Sequence, residues 1–346
     1  MDLNIAVLSG DGIGPEVTNE AVKVIGVISK KFDHKINISE GLTGAIAIDK
    51  KGNPYPDETH QICEKSDAVL FGAIGDPKYD NDPSAKVRPE QGLLEMRKKL
   101  GLYANLRPTI VFESLINNSP LKKDRIQNTD LIFVRELTGG IYFGKRGRKD
   151  NGNFAYDTCE YNRYEVERIA QLGFEMALKR KRKLCCVDKA NVLESSRLWR
   201  ETVQNMESRF PDVKVSYEFV DAVAMRLIQW PSKYDVLVTS NLFGDILTDE
   251  ASVISGSMGL MPSASIGAKN ALYEPIHGSY PQAAGKNIAN PVGSILSLAM
   301  MFEHSFNLEK ESNIIKQAVE NSLKEKITTQ DISGNDKTYS TSDVGD

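Results

Sequence analysis

Apolar residues along the chain fall into short continuous runs that alternate with longer stretches of helical periodicity. The runs predict strands over 3–8, 67–72, 103–111, 130–136, 141–144, 184–188, 213–219 and 235–239. The periodic stretches predict helices over 90–100, 164–179, 195–207, 222–230, 242–253, 292–304 and 309–324. A Gly-rich loop follows the first strand, and Pro15 sits in the first turn of a helix, where its missing N–H costs little. Alternation of this kind argues for an α/β protein with parallel or mixed sheets. The polar, turn-rich stretch 145–158 (KRGRKDNGNFAYDT) interrupts the pattern and is expected to project from the body.

Composition narrows the classes. A chain of 346 residues is long enough for two cores. Hydrophobic residues at 40% and charged residues at 26% fit a globular rather than a disordered chain. Lys and Arg number 43 against 47 Asp and Glu, a formal charge of −4. That balance lacks the basic excess of a nucleic-acid coat or a polybasic membrane-surface protein, so any anionic ligand must meet a local cluster of cations. No apolar run reaches the ~20 residues of a membrane span, and MDLNIAVLSGDG has no signal-peptide character. Cys63, Cys159, Cys185 and Cys186 form no CxxC pair, so neither a zinc site nor a disulfide framework is indicated. A reducing cytoplasm is the expected location, with neither membrane nor nucleic acid as partner.

Familiar nucleotide motifs fail. GDGIG at 10–14 is not GxGxxG, so the dinucleotide fingerprint of the Rossmann kind is absent. GGIYFGKR at 139–146 ends in Arg146 where a phosphate loop needs Ser or Thr. No Ser-centred nucleophile elbow occurs.

Three constellations remain. Asp245 and Asp249 lie four apart in NLFGDILTDE, on one face of a predicted helix, and Asp221 opens another helix in FVDAVAM. Hard carboxylate oxygens suit Mg²⁺ or Mn²⁺, although acids near helix starts also complement the dipole. Arg97, Arg107 and Arg135 are candidate anion clamps, Arg135 because it ends the apolar run LIFVR, while solvated or salt-bridged arginine is the ordinary alternative. Tyr142 and Lys189 are candidate proton-transfer groups; a Tyr packed at a strand edge and a Lys paired with Asp188 are the simpler readings. The loop 274–290 (EPIHGSYPQAAGKNIAN) places Gly278 and Gly285 around His277, where small residues let backbone amides approach a phosphate or a purine; an ordinary surface loop is the simpler reading, against which its length modestly favours function.

Taken together, the motifs resemble one family, the β-decarboxylating dehydrogenases of 2-hydroxy acids, or isocitrate/isopropylmalate dehydrogenase family. The resemblance runs in order through LSGDGIGPEV (8–17), GAIGDPKYD (72–80), RPEQGLLEMRKKLGLYANLRP (88–108), VRELTGGIYFG (134–144), VDKANVL (187–193), NLFGDILTDE (241–250), GSMGLMPSAS (256–265) and EPIHGS (274–279). It implies an isopropylmalate dehydrogenase-like, two-domain α/β fold that binds a dinucleotide in a non-Rossmann manner. A first, cofactor-binding domain would combine 1–101 with 252–346. A second domain, 102–251, would carry dimerisation, metal and substrate, with the projecting arm 145–158 intertwined in a homodimer.

The resemblance also implies residue roles. Arg97, Arg107 and Arg135 would clamp the substrate's carboxylates. Asp221, Asp245 and Asp249 would hold Mg²⁺ or Mn²⁺, with Lys189 and Asp221 contributed across the subunit interface. Lys189 would accept the hydroxyl proton as hydride passes to NAD, and Tyr142 would protonate the carbon left by CO₂. The implied reaction turns (2R,3S)-3-isopropylmalate into 4-methyl-2-oxopentanoate, the leucine precursor. Leu93 and Leu94 would wall the isopropyl group, and Glu90 would repel the third carboxylate of isocitrate. Cofactor contacts would come from Ile13, Glu90, Glu274, His277, Gly278, Ser279, Tyr280, Gln282, Asn290 and Asp331. Gln282 departs from the pattern: NAD-using members carry Asp there, and the Lys and Tyr of NADP-using members are absent, which leaves NAD favoured. Relatives continue beyond STSDVGD with a terminal helix, so a shortened C-terminus is expected. The alternatives are another substrate of the class (isocitrate, D-malate or tartrate), a non-catalytic regulatory subunit on the same fold, or a solute-binding protein.

Overall fold

The computed structural model describes residues 1–82, 85–334 and 336–346. The chain divides into two compact units, Met1–Leu102 with Ser257–Asp346, and Tyr103–Gly256. From the N-terminus the strands are β1 (Asp2–Gly10), β2 (Lys35–Glu40), β3 (Ala68–Ala73), β4 (Leu102–Ile110), β5 (Asp130–Glu136), β6 (Arg146–Lys149), β7 (Phe154–Asp157), β8 (Lys183–Asp188), β9 (Lys214–Phe219), β10 (Val236–Thr239), β11 (Pro262–Gly267) and β12 (Ala271–Pro275).

In the first unit the strands run β2-β1-β3-β12-β11. β1 is parallel to β2 and β3, β12 is parallel to β3, and β11 is antiparallel to β12. Every residue of β3 (AVLFGA) is buried, as expected of a parallel strand covered on both faces. Helix Val292–His304 is buried on all sides from Val292 to Phe302 and packs against β11, β12 and the helices Gly14–Phe32 and Glu309–Lys324. On the other face, Ala6, Leu8, Val69, Phe71 and Leu272 meet Tyr55, Cys63 and Met96, the last on helix Pro89–Lys99. Gly12 has φ +60, and a Cβ there would lie 2.0 Å from the Ser279 carbonyl oxygen. That approach lets the Ile13 amide donate to the same oxygen at 2.8 Å.

In the second unit the order is β4-β5-β10-β8-β9, with β4 antiparallel to β5 and the rest parallel. Leu131, Phe133, Cys185, Val187 and Leu237 of the sheet pack against Val223 and Leu227 of helix Val220–Gln229 and Leu247 and Ala251 of helix Asn241–Ile254. Helices Arg163–Lys179 and Glu194–Met206 complete the unit. The stretch 145–158 forms the antiparallel pair β6–β7, closed by a turn in which Asp150, Asn151 and Gly152 have φ of +52, +54 and +92.

One predicted element is replaced. The strand expected over 141–144 does not form; Gly140–Tyr142 is a single 3₁₀ turn. Gly140 has φ +76, and a Cβ there would lie 2.5 Å from the Tyr161 hydroxyl, so the chain turns tightly instead of extending. Strands β2, β6, β7, β11 and β12 are additional to those that the hydrophobic pattern predicts.

Candidate active site

β4 and β5 pair so that Arg107 faces Phe133 and Asn105 faces Arg135. Arg135, at the end of β5, is 2% exposed. A guanidinium so buried must have its charge met. Asn241, the first residue of helix Asn241–Ile254, accepts from Arg135 Nε at 3.2 Å and Nη2 at 2.9 Å, and Nη1 pairs with Asp245 Oδ1. The helix lies this close because residue 244 is glycine: a Cβ there would sit 2.6 Å from Arg135 Cγ. Arg107 is likewise buried; it donates from Nε to Asn105 Oδ1 at 2.8 Å and from Nη1 to Thr248 Oγ1 at 2.6 Å, with Asp249 Oδ1 at 3.4 Å.

Tyr142 donates its hydroxyl to the other Asp245 oxygen, Oδ2, at 2.8 Å. Its turn is held by Glu136, whose buried carboxylate accepts from the Thr138 and Gly139 amides at 2.8 Å each, and by Asn241 Nδ2, which donates to Gly139 O at 3.3 Å. Burial, reinforced by the Asp245 bond, pushes the Tyr142 hydroxyl up to about 12, so it keeps its proton at neutral pH. Burial also pushes the Asp245 carboxyl up, but Arg135 and Tyr142 outweigh it and hold it below the ordinary range. Asp249 is raised instead, by burial and by the charge of Asp245, against the opposing pull of Arg107. The second unit thus gathers Arg107, Arg135, Tyr142, Asp245 and Asp249.

Lys189 and Asp221 form a separate couple. Lys189 follows β8 and donates to Asp221 Oδ1 at 2.6 Å, and this bond lowers the Asp221 carboxyl from its ordinary value. Asp188 is held instead by Arg200, through two bonds of 2.8 and 2.9 Å. Among the described residues no three acids, histidines or cysteines gather in a metal-binding group, so Asp221 does not join Asp245 and Asp249 within one chain. Asn241, Asn105, Thr248 and Glu136 were not singled out by sequence reasoning. The available signal was position: each flanks a candidate Arg or lies inside a quoted motif.

In the first unit Arg97 is buried and pairs with Glu274 at 3.3 Å. Leu93 and Leu94 are half-buried on the same helix, Leu93 against the core. The Glu90 carboxylate and the Ser279 hydroxyl both approach Gly75, each 3.3 Å from where its Cβ would be. His277 donates from Nδ1 to Gly278 O at 2.9 Å, while its buried Nε2 has no partner among the described residues. Burial lowers the His277 pKa, leaving the ring neutral and Nε2 an acceptor. Asp331 accepts from Asn290 Nδ2 at 3.0 Å and from the hydroxyls of Thr329 and Ser257. Ile13 packs with Val17, Ala283 and Ala289; Tyr280, with φ +38, Gly278 and Gln282 are exposed.

These features define an enzyme class. The chain belongs to the isocitrate/isopropylmalate dehydrogenase family, which it matches over residues 4–346. A 3-isopropylmalate dehydrogenase of Bacteroides fragilis is 55% identical, with 100% of this chain and 97% of the relative covered. One of Aquifex aeolicus is 52% identical over 95% of this chain and 91% of its own. Among solved structures, an isocitrate dehydrogenase from Methylococcus capsulatus superposes with a TM-score of 0.89 at 32% identity, covering 99% of this chain and 97% of its own.

Proposed function

We propose that the chain is an oxidoreductase of leucine biosynthesis that oxidises and decarboxylates 3-isopropylmalate to 4-methyl-2-oxopentanoate, with NAD as hydride acceptor. The observation that carries this reading is the joint placement of two buried arginines, a protonated Tyr142 and two carboxylates one helical turn apart. Arg107 and Arg135, with Arg97, bind the substrate's carboxylates through paired N–H donors. Lys189 Nζ takes the proton of the C2 hydroxyl, and Tyr142 returns a proton to the carbon that CO₂ leaves.

The donor chemistry of Asp245 and Asp249 fits a hard divalent cation: both offer carboxylate oxygens, and Asp249 is raised by burial and, to a lesser degree, by the charge of Asp245, both of which a cation would offset. These two, with Asp221 of a second chain, would hold Mg²⁺ or Mn²⁺, which when bound supplies Lewis-acid stabilisation of developing oxygen charge. The residues of the first unit fit a dinucleotide by the same kind of test, since the orphaned Nε2 of His277 asks for a donor such as an adenine amine. Gln282 is exposed and neutral: it can bond a ribose hydroxyl but carries no charge to repel a 2′-phosphate, and NAD is favoured because Gln282 and Ala283 stand where NADP-using members carry Lys and Tyr.

A homodimer is supported by the apolar side chains that the second unit leaves in solvent. Met225 and Ile228 are 60% and 47% exposed on helix Val220–Gln229, and Ile246 and Val253 are 59% and 53% exposed on helix Asn241–Ile254, which packs beside it. No helix among the described residues is long and apolar enough to cross a membrane, in keeping with a cytoplasmic enzyme. Isocitrate is the second reading, raised by the likeness to an isocitrate dehydrogenase structure; Leu93, Leu94 and Glu90 argue against it. The test is NADH formation at 340 nm with 3-isopropylmalate, isocitrate and D-malate, each with NAD and with NADP. Highest kcat/KM for 3-isopropylmalate with NAD is expected; preference for isocitrate, or no turnover of any acid, would overturn the assignment.

A further inference from the structure

An acidic chain carries five consecutive cations at 179–183 (KRKRK), where the helix Arg163–Lys179 turns into β8. Two are consumed structurally. Arg180 pairs with Asp130 at 2.7 Å and Asp235 at 2.8 Å, and Lys181 lies 3.7 Å from Asp130. Lys183 is different. It opens β8 directly opposite Lys214, the first residue of β9, so two ammonium groups start adjacent parallel strands in register. Like charges so placed destabilise a sheet. Neither has a carboxylate within ion-pair distance among the described residues, and nor does Lys233, the residue before Tyr234.

All three lysines line one cavity of about 300 Å³ at the N-terminal ends of β8, β9 and β10. Cys185, Ser216 and Tyr234 also line it. The Ser216 hydroxyl donates its proton over a long bond, 3.5 Å to Leu184 O, and neighbours the Cys185 thiol, so only weak contacts compete for that proton. The Tyr234 hydroxyl is already spent on Glu218 at 2.8 Å. Asp235, the one acid in the lining, has its charge met by Arg180 and by the amides of Lys181 at 2.8 Å and Lys183 at 3.3 Å. The cavity therefore presents net positive charge with no internal counterion.

We propose that this cavity is a binding site for a compact diphosphate-bearing anion, held by Lys183, Lys214 and Lys233 with the Ser216 hydroxyl. It lies on strand ends that carry none of the residues assigned above to substrate or metal. The anion relieves the repulsion between Lys183 and Lys214, which stand in register. Three point charges on flexible stems suit phosphate oxygens without demanding the planar fork of an arginine.

Pyrophosphate is the probe, titrated calorimetrically into the full chain with EDTA present and with NAD and 3-isopropylmalate filling their sites. Saturable binding of one pyrophosphate per chain is expected, weakened at least tenfold in Lys183→Thr/Lys214→Thr and unchanged in Lys30→Ser/Lys31→Ser, which removes the same charge elsewhere. Without pyrophosphate the Lys183→Thr/Lys214→Thr variant should melt above the wild type, because it loses the repulsion. ADP in a parallel titration separates the sources: binding tighter than pyrophosphate points to a nucleoside diphosphate, equal binding to the diphosphate alone. Absence of saturable binding, binding that survives in the strand variant, or equal weakening in both variants would overturn the proposal.

Discussion

Gly244→Ala puts one methyl group between helix Asn241–Ile254 and Arg135. An ideal Cβ would lie 2.6, 2.9 and 3.0 Å from Arg135 Cγ, Cβ and Cδ, where carbon contacts settle at about 3.5–4.0 Å. Relief requires a movement on the order of 1 Å. Arg135 cannot swing aside freely, since Asn241 holds its guanidinium at two points and Asp245 at a third. Overpacking of this kind costs ~1–3 kcal/mol, partly offset by the ~0.5–1 kcal/mol that Ala gains over Gly in a helix. A net loss of up to ~2.5 kcal/mol in the second unit is expected. The catalytic effect is larger: weakening one charge-assisted hydrogen bond to a substrate carboxylate is worth ~1.5–3 kcal/mol, or roughly 10- to 150-fold in kcat/KM. Gly26→Ala is the control, on the exposed side of helix Gly14–Phe32 with nothing within 4 Å of the new methyl group. It should stabilise by ~0.5–1 kcal/mol and leave activity alone. Urea midpoints and steady-state kinetics of both variants decide the matter. Equal stabilisation by the two substitutions, with kcat/KM intact in Gly244→Ala, would refute the close approach.

Three further outcomes are expected. Arg200→Ala should destabilise the second unit by ~3–5 kcal/mol, because it leaves the 1% exposed Asp188 carboxylate without its cation; Asp188→Asn in the same background should recover part of the loss in urea denaturation. Burial pushes the thiols of Cys63 and Cys185 up to about 11 and about 12 and Cys186 well above its ordinary value, so at pH 8 their thiolate fractions are at or below roughly one in a thousand. Native protein should then titrate one thiol, the exposed Cys159, and denatured protein four; faster labelling of the buried three is expected only as pH rises toward those values. Leu94→Ser should narrow the preference for 3-isopropylmalate over unbranched 3-alkylmalates by ~1–3 kcal/mol in kcat/KM, and an unchanged ratio would remove Leu94 from the pocket.

Much of the architecture is written locally. Helices Val292–His304 and Glu309–Lys324 match the periodicity end to end, because each ends where the apolar pattern ends. β2, β6, β7, β11 and β12 escape the pattern, and for β2 and β11 the physical reason is plain. β2 is an edge strand with mostly exposed side chains, and β11 is rich in Pro, Ser and Gly although it is buried through its middle. Residues 141–143 are apolar enough to read as a strand, but Gly140 turns the chain with a φ of +76 where Tyr161, about twenty residues away in sequence, leaves no room for a Cβ. The same limit governs the site. Candidate charges could be read from spacing and from motifs, whereas the Asn241 grip on Arg135 depends on long-range pairing that no window contains. Likewise Lys189 takes Asp221 rather than its neighbour Asp188, because Arg200 already holds that carboxylate.

The proposed site is divided between two chains, with Lys189 and Asp221 on one serving Arg135, Tyr142, Asp245 and Asp249 of the other. Mixing Lys189→Met and Asp245→Asn protein tests this most directly, by NADH formation with 3-isopropylmalate after unfolding and refolding together. Each variant alone should be inactive. In a random equimolar mixture half the dimers are hybrid and each hybrid carries one intact site of two, so about a quarter of wild-type activity should return. A mixture as inactive as its components, with hybrid dimers shown to be present, would contradict the shared site.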